Sequence, residues 1–166
     1  MRKTLENYAF IDGQNFYKSI KGIGKEINYS HFRTYLAEKH AVKVAYYFIG
    51  YVEKYEYIYN SLRRQGFELI FKEVSVHEDK YKGNVDVNLT LSAITKMDKY
   101  SKAVIITSDG DYACLVDYLH NQGKLECLIA CSRGGCSYLL RKLHQKIKIF
   151  YLDDIINDLT KRKETS

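Results

Sequence analysis

The chain of 166 residues contains no proline. It also has no low-complexity tract and no internal repeat, so no segment reads as a linker between domains. Long apolar runs are missing as well. Those that occur, such as Ala103 to Ile106 and Leu125 to Cys131 with its one glutamate, are strand-sized, which excludes a membrane-spanning helix. The N-terminus, MRKTLENYAFIDG, carries charge but no apolar stretch of signal-peptide length, and a cytoplasmic protein is expected. The four cysteines, Cys114, Cys127, Cys131 and Cys136, form no C-x-x-C pair, and no histidine stands at zinc-finger spacing from them. That leaves no case for zinc. Cys114, Cys127 and Cys131 fall in apolar runs and read as buried thiols, whereas Cys136 lies in a glycine-rich loop.

What is present is an ordinary globular composition, 46% apolar, in a chain long enough to bury a genuine core. Lysine and arginine exceed aspartate and glutamate by 26 to 20, a net charge of +6. This surplus fits a surface tuned for solubility. If several aspartates are withdrawn into one pocket, however, the remaining surface is more basic and a polyanion becomes the expected partner.

Strand-like runs alternate with helix-like stretches throughout. Strands are expected at Tyr8–Asp12, Val42–Tyr51, Phe67–Lys72, Ala103–Thr107, Leu125–Cys131 and Ile147–Leu152. Helices are expected near 15–22, 29–39, 53–65, 84–97, 111–122 and 135–145, with a last one over 153–162 capped by Asp153 or Asp154. Strict alternation implies an α/β fold: a doubly wound, mainly parallel sheet flanked by helices on both faces. One domain is expected over 1–155, followed in 156–166 by the end of the last helix and a frayed polar tail.

In such sheets ligands bind beyond the carboxyl ends of the strands, where the strand order reverses. Asp12 ends the first strand, in YAFIDGQN, and Asp109 follows the fourth, in VIITSDGDY. If those strands are neighbours, the two carboxylates face one crevice. The bland alternative is that they cap the following helices, a role equally open to Asp111. Each of Asp12 and Asp109 precedes a glycine, which would let backbone approach a ligand closely. Asp86, in KGNVDVNL, needs a separate argument. At about 100° per residue, Val85, Val87, Leu89, Leu91, Ala93, Ile94 and Met97 cover one broad helical arc, and Asp86 falls inside it. A carboxylate there faces the protein in the first turn of a helix, where backbone N–H groups favour negative charge. Unpaired, it would be costly. Lys82 is one candidate partner; a cation shared with Asp12 and Asp109 accounts for all three acids.

Three motifs taken together, FIDGQNFY at 10–17, KGNVDVNLTLSAI at 82–94 and VIITSDGDY at 104–112, make the chain resemble the NYN-domain (LabA-like) family of the PIN-like ribonuclease superfamily. The stretch SRGGCSYLLRKL at 132–143 follows where that family carries a comparable loop and helix. The resemblance implies a PIN-like fold and a nuclease dependent on one or two Mg²⁺ or Mn²⁺ ions. The family's acidic ligands fall on Asp12, Asp86 and Asp109, with Asp111 as the second acid of the S-D-G-D motif. Asn15 matches a polar residue that orients a ligand, water or phosphate. One departure stands out: many relatives carry a further aspartate in the middle helix, where this chain has Ser92.

Hard ions of this kind prefer carboxylate oxygen, and they suit aspartates without histidine or cysteine. For holding substrate, Lys82 and Arg133 sit in strand-end loops, Asn15 and Ser108 beside the acidic residues, and Tyr17 and Tyr112 close behind them. The expected partner is RNA, single-stranded RNA being favoured by the resemblance alone; a second copy or another protein stays open as a partner. A haloacid dehalogenase-type phosphatase would need an acid where Gln14 stands. A D-x-D transferase built on Asp109 and Asp111 leaves Asp12 and Asp86 unexplained. The serious rival is a PIN-like module that binds RNA or protein and has lost turnover.

Overall fold

The computed structural model describes residues 4–24, 26–72, 75–77, 80–82 and 85–157, with backbone only for 75–77 and 80–82. A six-stranded sheet has the order β3-β2-β1-β6-β7-β8, every neighbouring pair parallel. Its strands are β1 (Asn7–Asp12), β2 (Val42–Gly50), β3 (Phe67–Lys72), β6 (Ala103–Ile106), β7 (Leu125–Ala130) and β8 (Ile149–Tyr151). The expected doubly wound α/β architecture is therefore present. A separate antiparallel hairpin, β4 (Ser75–His77) with β5 (Lys80–Lys82), was not anticipated from sequence.

The central strands β1 and β6 run apolar from Tyr8 to Ile11 and from Ala103 to Ile106 because helices cover both faces. On β1, Ala9 and Ile11 face one core with Phe16, Phe32 and Tyr47, while Phe10 faces the other with Leu89, Tyr100 and Val116. Burying a side chain such as Phe10 or Leu89 stabilises the fold by roughly 1.5–3 kcal/mol. The covering helices are α1 (Gly13–Ile23), α2 (Tyr29–His40), α3 (Glu56–Arg64), α4 (Asp86–Thr95), α5 (Ala113–Asn121) and α6 (Tyr138–Arg141). Asn28 caps α2 by accepting from the His31 N–H at 3.0 Å. Arg33 reaches out of α2 to the carbonyls of Val42, Lys43 and Gly66, tying that helix to the starts of β2 and β3.

Several expectations are corrected. Only Val85, Leu89 and Ala93 of the α4 arc are buried; Val87, Leu91 and Ile94 are exposed. The helix packs on β1 and on the turn at Gly110–Tyr112 along one narrow stripe, so packing partners run out before the apolar arc does. Cys114 is exposed and Cys136 buried, the reverse of the sequence reading. The helix expected over 135–145 starts only at Tyr138, where Ser137 Oγ caps it by accepting from the Leu139 N–H (3.2 Å) after a turn that Ser132 Oγ closes by accepting from the Gly135 N–H (2.9 Å). The last helix is already formed at 152 and is described to 157; the remainder of the expected 153–162 span lies outside the described residues. Asp153 and Asp154 bind Arg133 instead of serving as its start.

The order of the strands reverses between β1 and β6. Their register sets Ile11 beside Ile106, so Asp12 and Thr107 emerge together at the carboxyl edge.

Candidate metal centre

Asp12 serves two structural roles at once. Its Oδ1 accepts from the Asn15 N–H (3.4 Å), capping α1, and its Oδ2 accepts from the Thr107 hydroxyl (3.1 Å). The same Thr107 oxygen accepts from the Asp109 N–H at 3.1 Å. One buried hydroxyl thereby joins the ends of β1 and β6, donating its proton to one aspartate and lending a lone pair to the backbone of the other. Asp109 Oδ1 accepts from the Asp111 N–H (2.9 Å), which starts the 3-10 turn Gly110–Tyr112. Asp86 opens α4, in the first turn, where the helix dipole favours a carboxylate. The capping alternative was thus real for Asp12 and Asp109, and it coexists with clustering. Asp111, by contrast, caps no helix with its side chain.

One carboxylate oxygen from each of Asp12, Asp86 and Asp109 lies within 4.8 Å of the other two. They line a cavity of about 260 Å³ together with Gln14, Asn15, Lys18, Val85 and Asp111. Burial pushes the Asp12 carboxyl up to about 6, with Asp86 and Asp109 adding repulsion and the bonds from Asn15 and Thr107 opposing it. Three carboxylates held this close make a donor set of hard oxygens, without histidine or sulfur, that fits Mg²⁺ or Mn²⁺.

The glycines after the aspartates are required by the protein's own packing. A Cβ on Gly13 would strike the Tyr47 ring and come within 2.7 Å of the Phe48 carbonyl oxygen; one on Gly110 would strike Ser137 Oγ.

The six residues expected to hold substrate fare differently. Asn15 does line the cavity, with Oδ1 accepting from the Ser108 N–H at 2.9 Å, so it also clamps the β6 loop to α1. Ser108 faces inward: its buried hydroxyl accepts from the N–H groups of Cys131 (2.8 Å) and Ser132 (3.2 Å), joining β6 to β7. Arg133 lines a different cleft, bound to Asp154 at 2.7 Å and stacked 4.1 Å over the Tyr151 ring. Tyr17 is half-exposed on α1, outside the lining of the cavity. The Lys82 side chain lies outside the described residues. Tyr112 is 1% exposed, a core residue that cannot stack on a substrate. Its hydroxyl is enclosed without a hydrogen-bond partner of full geometry, a burial that costs on the order of 1–3 kcal/mol. Burial raises its pKa far above the usual phenol range, and Asp12, Asp86 and Asp109 raise it further.

Sequence reasoning passed over Thr107, Gln14 and Lys18. A polar residue closing the apolar run of β6 was the available sign for Thr107. Gln14 and Lys18 share one face of α1 at i, i+4 spacing, which points them to the same mouth.

The family model described as NYN domain matches residues 8–149. No curated protein matches the chain. A crystal structure of a protein of unknown function from Vibrio parahaemolyticus RIMD 2210633 superposes with a TM-score of 0.75 at 21% identity, covering 93% of this chain and 97% of that one. At that identity the likeness speaks for the fold alone.

Proposed function

This chain belongs to the NYN domain family, and from that premise we propose that it is a divalent-metal-dependent nuclease acting on single-stranded RNA. The observation that carries the reading is the convergence of three carboxylate oxygens within 4.8 Å at the point where the strand order reverses. Asp12, Asp86 and Asp109 would hold Mg²⁺ or Mn²⁺. When bound, such ions lower the pKa of water and offset the charge on phosphate oxygens. The exposed Asp111 orients the attacking water at the rim. Lys18 and Gln14 meet the phosphate at the mouth, a role the sequence reading gave to Lys82 and Arg133. Thr107 and Asn15 keep the two acid-bearing loops in register.

Ser92 stands apart from the acidic cluster. It accepts from the Lys96 ammonium at 3.4 Å and is absent from the cavity lining, so the acid missing there leaves the cluster whole. The test is cleavage of end-labelled single-stranded RNA and DNA by the wild type and by Asp109→Asn, with Mg²⁺, Mn²⁺ or EDTA. Cutting of RNA by the wild type alone, abolished by EDTA, is the expected result. RNA retained equally by both proteins with no cutting would replace the nuclease by a binding module.

A further inference from the structure

Tyr112 is buried in an apolar core with Leu115, Val116 and Leu140, where phenylalanine would pack equally well. Yet it carries a hydroxyl that makes no complete hydrogen bond. The residue ends the 3-10 turn that Asp109 begins, and this turn packs against α4, whose first residue is Asp86. Tyr112 therefore shares its core cluster with Val85, the residue before Asp86, and its side chain interacts with Asp86. Ionised carboxylates accept and do not donate, so the only favourable role for this hydroxyl among them is as donor.

We propose that Tyr112 is a positioning residue for the metal centre, its hydroxyl donating to Asp86 and fixing that carboxylate in the orientation that holds the ion. The inference rests on the metal-dependent reading above and extends it to a residue that touches neither substrate nor ion. Groups that orient metal ligands in this way typically change metal affinity 10–100-fold when removed.

The experiment is calorimetric titration of Mn²⁺ into the wild type, Tyr112→Phe, Asp86→Asn and the double variant, with thermal melts of all four in EDTA. Tyr112→Phe is expected to weaken Mn²⁺ binding 10–100-fold while its melting temperature in EDTA holds or rises, since the buried hydroxyl it removes makes no hydrogen bond of full geometry to offset its desolvation. In the Asp86→Asn background the same change is expected to have no further effect on Mn²⁺, which a purely structural tyrosine would not show. Mn²⁺ affinity within twofold of wild type in Tyr112→Phe overturns the proposal and leaves the metal centre standing. Absence of Mn²⁺ binding in the wild type overturns both.

Discussion

Two charged clefts lie at opposite ends of the sheet. At the carboxyl ends of β1 and β6, Asp12, Asp86 and Asp109 are gathered in one cavity; at the other end, Lys102, His120, Lys146 and Lys148, with Glu126 among them, line a cavity of about 320 Å³. The acidic set is fastened. Thr107, Asn15 and the Asp111 N–H each hold a particular carboxylate oxygen, and Asp12 is only 5% exposed. The basic set is loose: Lys146 reaches Asp117 at 3.4 Å across solvent, and among the described residues no carboxylate lies within 4.0 Å of Lys102 or Lys148. Like charges that are free to turn away cost little and imply little. Like charges that the fold forces together, at the expense of a raised pKa, are a reservoir of strain that a ligand of opposite sign would relieve.

That contrast is open to direct attack. The largest effect is expected from pH and metal on stability. A carboxyl raised from 3.8 to about 6 favours the folded state while protonated. This contribution is full below pH 3.8 and lost as pH rises through about 6, and at 1.36 kcal/mol per unit it amounts to about 3 kcal/mol. In EDTA, melting temperature should therefore fall by roughly 6–12 °C from this group as pH rises from 4 to 7. Mn²⁺ at a hundred times its dissociation constant should return about 2.7 kcal/mol at pH 7. Asp12→Asn should flatten the dependence and abolish the rescue; a wild-type melt indifferent to both pH and Mn²⁺ would erase the distinction between the two clefts.

Thr107→Val should come next. It keeps the shape but removes the donor to Asp12 and the acceptor for the Asp109 N–H, so a loss of about 1–3 kcal/mol is expected in EDTA melts. Unlike Tyr112→Phe, it should weaken folding and Mn²⁺ binding together. The smallest effect belongs to Lys102→Gln with Lys148→Gln, for which melts should stay within about 0.5 kcal/mol of wild type. Cleavage by that double variant at moderate salt should also be unchanged. A large loss of RNA cleavage there would show the basic cleft to be a working part of the molecule.

Much of the fold could be read from the chain. The six strands of the main sheet emerged from β-branched apolar runs, because strands buried on both faces carry their signal in every residue. Asp86 was traceable for a related reason: a lone carboxylate at the start of an apolar helix stands out against its neighbours. Side chains that serve as joints were harder. Ser108, Arg133 and Tyr112 have the composition of substrate contacts, yet Ser108 ties two strand ends and Arg133 stacks on Tyr151. A polar residue in a loop reads the same whether it turns inward or outward, and the choice is made by neighbours distant in sequence.

The sequence by itself determined the alternation of strands and helices and the placing of acids after β1 and β6, since both are local patterns of burial and charge. Only the tertiary structure decided that β1 and β6 are neighbours and that Thr107 bridges their two aspartates. It alone buried the Tyr112 hydroxyl instead of leaving it in solvent. These outcomes depend on strand register and on which faces find partners, and such long-range packing leaves no local mark in the chain.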